Sequence, residues 1–187
     1  MFSEATGAHR DSLRREIDTN VAELDALVEE VLLASRLDAA QPVDTDEPVN
    51  LLGLAAEEAA RVGAEATGDN LVVQGSERLL RRALRNLLEN ARRYSESAVE
   101  VSVSRCEDGS VEWRVCDRGP GVPPAYRERI FEPFFRLPGH AEREGGVGLG
   151  LSLVRQIAER HGGRVSCEPR VGGGSCFVVT LPRDRAR

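Results

Sequence analysis

Residues 145–154 read Gly-Gly-Val-Gly-Leu-Gly-Leu-Ser-Leu-Val, and no other stretch limits the chain as tightly. Gly145, Gly146, Gly148 and Gly150 precede an apolar run that stays helix-compatible through Ile157 and Ala158. Glycine reaches positive φ and lets a backbone approach a ligand closely. A helix that begins inside such a loop aims free N–H groups and a partial positive charge at whatever sits there, usually phosphate. The same pattern also serves as a plain joint between a loop and a helix, so the other motifs decide between the two.

With 187 residues, 41% of them hydrophobic, the chain has room for one medium domain with a real core and an appendage. The net charge of −6 argues against nucleic acid or an anionic membrane as a partner. No apolar run approaches the roughly 20 residues that span a bilayer, and no signal peptide opens the chain, so this piece reads as soluble. All 25 basic residues are arginine. The absence of lysine excludes a Walker A loop, a protein-kinase strand lysine and Schiff-base chemistry. Arginine supplies planar donor forks suited to phosphate. Cys106, Cys116, Cys167 and Cys176 show no CxxC spacing. They are expected as free, mostly buried thiols in a reducing compartment, with a Cys167–Cys176 cross-strand pair as the alternative.

Between Leu13 and Leu37 there is no glycine or proline, and Ile17, Val21, Leu24, Val28 and Val31 follow a 4-3-4-3 spacing. This is a heptad seam on a helix that needs a partner, either its own domain or a second copy. Pro42, Asp44, Asp46 and Pro48 read as a linker. Leu51–Val62 reads as an amphipathic helix and Leu71–Gly75 as a short strand. Ser76 is expected to cap a helix reaching Tyr94, with Leu79, Leu80, Ala83, Leu84, Leu87, Leu88 and Ala91 as its buried face. Ala98–Ser104 and Val111–Cys116 form a hairpin pattern, as do Arg164–Glu168 and Ser175–Leu181. Between the hairpins, a polar segment at 137–147 looks like a mobile lid. A helix from about Gly148 stops at His161-Gly162-Gly163.

Two places carry chemistry besides the glycine run. Asn86 and Asn90 share one helix face, although asparagine is a poor choice inside a helix. Their carboxamide oxygens suit Mg²⁺, or else the pair is simply solvated. Asp117 closes a strand and opens Asp117-Arg118-Gly119-Pro120-Gly121, which puts a carboxylate at a pocket rim, or else makes an ordinary turn.

In order, the motifs are Asn-Leu-Leu-Glu-Asn-Ala at 86–91, Asp-Arg-Gly-Pro-Gly at 117–121, Phe-Glu-Pro-Phe-Phe-Arg at 131–136, Gly-Val-Gly-Leu-Gly-Leu at 146–151 and His-Gly-Gly at 161–163. This series resembles the N, G1, F and G2 boxes of bacterial two-component sensor histidine kinases, over about residues 45–182. The resemblance implies an α+β fold, the two-layer α/β sandwich called the Bergerat ATP-binding fold, with a mixed sheet and three helices on one face. It divides the chain into residues 1–41, like the second helix of that family's dimerisation domain, and a catalytic ATP-binding domain at 42–187.

The resemblance also implies ATP and Mg²⁺ as cofactors. Asn90 stands where the Mg²⁺ ligand is expected, with Asn86 beside it. Arg93 stands where the family often has a phosphate-binding lysine, and Tyr94 where an aromatic ring packs near adenine. Asp117 matches the acceptor for the adenine amino group, and Gly119 and Gly121 line the base pocket. Gly146, Val147, Gly148, Leu149 and Gly150 belong to the lid and phosphate loop, with Arg136 or Arg143 offered to the phosphates. Partners implied are a response regulator and, in the full-length protein, a second copy. The place implied is the cytoplasmic portion of a bacterial inner-membrane protein.

The sequence departs from the family at the phosphoacceptor, a histidine followed by an acid and then a proline. His9, His140 and His161 do not fit that pattern. The acceptor helix is expected to lie upstream, leaving this chain able to bind Mg-ATP but not to phosphorylate itself, and with a weak dimer or none.

Overall fold

A computed structural model describes residues 47–138 and 148–182, together with positions 13, 14, 17, 21, 24, 28 and 32. Those seven isolated positions are all helical. Leu13, Ile17, Val21, Leu24, Val28 and Leu32 are 43% to 60% exposed, so the described part of the expected seam is apolar and uncovered, while Val31 lies outside the described residues.

The domain begins with β1 (Glu47–Asn50), α1 (Leu51–Arg61), β2 (Glu65–Gly68) and β3 (Val72–Gly75). It continues with α2 (Glu77–Tyr94), β4 (Glu100–Arg105) and β5 (Val111–Cys116). Two 3₁₀ turns, Pro124–Tyr126 and Arg129–Phe131, lead to α3 (Gly150–Arg160), β6 (Arg164–Pro169) and β7 (Ser175–Leu181). Five strands form one mixed sheet in the order β2-β4-β5-β7-β6. Among the described residues, only β2 and β4 pair in parallel. β1 and β3 make a separate antiparallel pair.

Period-two alternation sends Val101, Val103, Val111, Trp113 and Val115 to one face, where they join Phe177, Val179 and Leu181. The helices lay their apolar stripes on that face: Leu54 and Ala55 from α1, Leu80, Leu84 and Leu87 from α2, Leu153, Val154 and Ile157 from α3. Burying these side chains removes apolar surface from water, the main force holding the two layers together.

Several local expectations change. Pro48 lies inside β1, not in a linker. Ser76 stands at the N-cap of α2, but its hydroxyl makes no capping bond. The Glu47 carboxylate takes that role, accepting from the Glu77 N–H at 2.9 Å. The helix expected from Gly148 begins at Gly150. The expectation of four free thiols is also corrected, because Cys116 and Cys176 form a disulfide. They stand directly opposite each other in the β5–β7 register, 4.1 Å apart at Cα. Cys106 and Cys167 are free. The weighed Cys167–Cys176 pair does not form, since Cys167 faces Phe177 across β6 and β7.

Candidate functional site

α2 and the start of α3 meet at one point. The Asn86 side chain is 8% exposed, and its Nδ2 donates to the Gly150 carbonyl at 3.1 Å. Asn90 lies one turn further along the same face of α2 and is half-buried. Arg93 and Tyr94 close the helix, Arg93 exposed and Tyr94 half-buried.

The last turn of α2 touches the loop after β5. A Cβ on Gly119 would stand 2.4 Å from the Tyr94 carbonyl oxygen, so only glycine lets this loop lie against the helix end. The loop is held by Asp117, which is 4% exposed. Its Oδ1 accepts from the Gly119 N–H at 2.8 Å and from the Ser175 N–H at 3.4 Å. Its own N–H donates to the Ser175 carbonyl at 2.9 Å. Gly121 adopts φ 77°, with the Gly174 carbonyl packed under it. These bonds use one carboxylate oxygen and fix the plane of the other, which makes Asp117 an oriented acceptor at the end of a buried strand.

The sequence did not single out Ser175, yet it builds this corner. It is 2% exposed, and its hydroxyl accepts from the Val122 N–H at 3.0 Å while its backbone holds Asp117. Its only signal was a small hydroxyl residue opening a strand after three glycines. Arg170, also missed, reaches the Asp117 carbonyl at 3.5 Å and pairs with Glu100. Cys167 lies beside Ser175. Burial pushes its thiol up to about 11, against a hydrogen bond with the Ser175 side chain that lowers it.

On the far side of the site, Phe131 is buried in the core and packs edge-on against Phe177. Phe135 packs on Tyr126 and lies under the Arg129 guanidinium. Arg136 follows, half-buried. Gly148 takes φ 81° and Leu149 is buried. Arg143, Gly146 and Val147 lie outside the described residues, as do His9 and His140.

Of the residues expected from sequence, Asn86 and Gly150 are in contact, and Tyr94 and Gly119 pack together beside Asp117. Both clusters lie along one face-to-end path on α2, eight residues apart, about 12 Å at 1.5 Å per residue.

A family model described as histidine kinase-, DNA gyrase B-, and HSP90-like ATPase matches residues 75–185. The chain is 40% identical over 173 residues to the sensor protein CutS of Streptomyces coelicolor, covering 84% of this chain and 41% of that protein. It is 37% identical over 192 residues to the sensor protein RstB of Escherichia coli, covering 97% and 43%. Among solved structures it is similar to the mycobacterial sensor histidine kinase MprB, with TM-score 0.64, 30% identity, and coverage of 75% of this chain and 99% of that one. It is also similar to full-length ShkA in complex with AMPPNP, with TM-score 0.70, 31% identity, and coverage of 87% and 36%. The chain spans about two fifths of the length of these curated relatives.

Proposed function

Because the chain belongs to the histidine kinase-, DNA gyrase B- and HSP90-like ATPase family, as the ATP-binding catalytic domain of a sensor histidine kinase, we propose that it holds ATP along α2. The base lies at Asp117 and the phosphates at the start of α3. The observation that carries this reading is the Asn86–Gly150 hydrogen bond, which joins the asparagine stripe to the glycine hinge.

Asp117 accepts from the adenine amino group, a bond that guanine's carbonyl cannot make. Gly119 and Gly121 leave the base room, and Tyr94 packs near it. Gly146 to Gly150, the N–H groups of the first turn of α3, and Arg93, Arg136 or Arg143 hold the phosphates. Among the described residues, no group of three or more His, Cys, Asp or Glu could hold a metal ion. The half-buried Asn90 carboxamide fits Mg²⁺ as a hard oxygen donor, with phosphate oxygens completing the set. When bound, the ion neutralises charge on the phosphates.

The γ-phosphoryl group passes to a histidine nitrogen as its bond to the β-phosphate oxygen breaks, and ADP keeps that electron pair. From there it is relayed to an aspartate of a response regulator. Such a transfer asks of the protein mainly positioning and charge neutralisation. The receiving histidine is none of the three in this chain. His161 is 1% exposed with both ring nitrogens engaged, and His9 lacks the acid-then-proline continuation. The uncovered apolar seam supports dimerisation of the whole protein through that helix. The cytoplasmic portion of an inner-membrane receptor is the setting we assign. No helix among the described residues is long and apolar enough to cross a membrane.

Calorimetric titration with AMPPNP tests the reading. Saturable binding that weakens when EDTA removes Mg²⁺ is expected, and no heat at millimolar nucleotide would end the assignment. With γ-labelled ATP, the chain alone should gain no acid-labile label. Light scattering at micromolar concentration should give a monomer, and a clean dimer would count against a weakened interface.

A further inference from the structure

His161 belongs to the one motif that the nucleotide site does not use. Its ring is buried between two helices and tied to both. Ser76 donates its backbone N–H to Nε2 at 3.1 Å. Nδ1 lies 2.7 Å from the Ile157 carbonyl. A backbone N–H can only donate, so Nε2 is the acceptor, the proton sits on Nδ1, and the ring is neutral.

The chain makes room for this ring. A Cβ on Gly75 would stand 2.7 Å from His161 Cδ2 and 2.9 Å from Nε2. A Cβ on Gly163 would stand 2.1 Å from the Thr180 carbonyl, so the turn after the ring also needs glycine to lie on β7. A buried imidazole with both nitrogens bonded and glycines on either side is more specific than apolar filling requires.

Its place on the two helices gives it a consequence. Ser76 precedes the first turn of α2, and His161 follows the last turn of α3. At the other end of the pair, Asn86 of α2 holds Gly150 of α3. The two helices therefore run antiparallel with a polar rung at each end of α3, the second falling midway along α2. Ser76 to Asn86 and Gly150 to His161 each measure about 15–17 Å along their axes. The buried apolar faces of α2 and α3 hold the helices together without direction, and the two polar rungs add the directional contacts that fix their register.

We infer that His161 is a positioning residue for the phosphate end of the nucleotide site. By fixing the far end of α3 to α2, it sets where the Gly148–Gly150 hinge stands relative to Asn86 and Asn90. The inference rests on the reading that those residues receive the phosphates. Asp117 and its Ser175 cradle hang on β5 and β7 and do not depend on this rung.

The test compares His161→Phe, which fills the space but cannot accept from Ser76, with His161→Gln, whose side-chain oxygen can. AMPPNP affinity is measured by calorimetry and adenosine binding by NMR titration, on the full chain. Phe is expected to weaken AMPPNP about tenfold while adenosine stays within about twofold, and Gln is expected to recover most of the loss. Equal weakening of both ligands by Phe, no change for AMPPNP, or no rescue by Gln overturns the inference.

Hydrogen exchange without nucleotide separates this from a failure of the ATP reading. In Phe, the amide of Leu153, which donates to the Leu149 carbonyl, and those of the turn that follows it should exchange faster relative to those of β7. If the wild-type chain bound no nucleotide but the Phe variant showed this acceleration, the rung would stand and the ATP assignment would fall. An unchanged exchange ratio removes the rung whatever the nucleotide does.

Discussion

The backbone N–H of Phe134 donates to the carbonyl of Gly148 at 3.0 Å, which fastens the two ends of residues 135–147 together. Both residues lie at positive φ, 63° for Phe134 and 81° for Gly148. Phe134 is 63% exposed, so packing of its ring does not explain the conformation. The hydrogen bond to Gly148 does. A left-handed backbone at a bulky residue persists where the surroundings over-determine it, and such places gather at sites that hold or release ligands.

Gly148→Ala should therefore loosen this clasp. The new Cβ would stand 3.0 Å from the Phe134 carbonyl carbon and the Phe135 carbonyl oxygen, in a conformation that disfavours any side chain. A stability loss of about 1–2 kcal/mol is expected in urea unfolding. AMPPNP affinity should fall as well, because the hinge is displaced. A variant as stable as wild type would show that the loop ends are not clamped.

Asp117→Asn separates the base contact from the fold. Asparagine keeps the oxygen that accepts from Gly119 and Ser175, so unfolding should be little changed. Its amide nitrogen then presents a donor to the adenine amino group. The lost bond to a charged acceptor predicts nucleotide binding weaker by about 10- to 100-fold. Unchanged affinity in calorimetry would remove Asp117 from the pocket.

Much of this site was legible because its residues break local rules. Asparagines inside a helix and four glycines before a helix are poor choices for packing alone, so Asn86, Asn90, Gly148 and Gly150 could be read without a fold. What was missed depends on distant partners. β1 and β2 are four-residue strands, Glu-Pro-Val-Asn and Glu-Ala-Thr-Gly, with almost no β-forming pattern of their own. They form because β3 and β4 offer edges. Ser76 was placed correctly at the N-cap of α2, but the oxygen that caps the helix was missed for the same reason, since Glu47 reaches Glu77 only once β1 has paired. The Cys116–Cys176 bond depends on β7 docking against β5, a contact between residues 60 apart. Local spacing pointed instead to four free thiols, with the nearer Cys167 as the alternative partner weighed for Cys176. Ser175 looked like an ordinary first residue of a strand until Asp117 arrived beside it.

The thiol pattern is open to direct measurement. Alkylation in denaturant without reductant should label two cysteines, and four after reduction. On the native chain near pH 8, Cys106 should react first. Cys167 should stay nearly inert, because burial holds its thiol up at about 11 and the thiolate is the reactive form. Four labels before reduction would disprove the Cys116–Cys176 bond.

Glu58 supplies the last prediction, on how α1 is held to α2. It is 1% exposed, and its carboxylate accepts from Arg81 at 3.0 Å and from Arg85 at 3.0 and 3.1 Å, with Arg61 at 3.5 Å. Burial works to raise its pKa, but the hydrogen bonds from Arg85 and Arg81 outweigh burial and hold the carboxyl below its ordinary value of 4.5. A carboxyl depressed in the folded state binds its proton more readily when unfolded. Its contribution is therefore present above the ordinary carboxylate pKa and is lost as pH falls through the folded value. Urea midpoints should hold steady from pH 7 to 5 and drop below about pH 4.5, and that acid drop should shrink in Glu58→Gln. Glu58→Ala should cost about 3 kcal/mol at neutral pH, since two half-buried guanidinium groups lose their shared anion. Arg81 keeps Glu57 and Glu77, so the burden falls on Arg85. If the Glu58→Ala variant unfolds at the wild-type midpoint and with the same acid profile, the network does not hold these helices together.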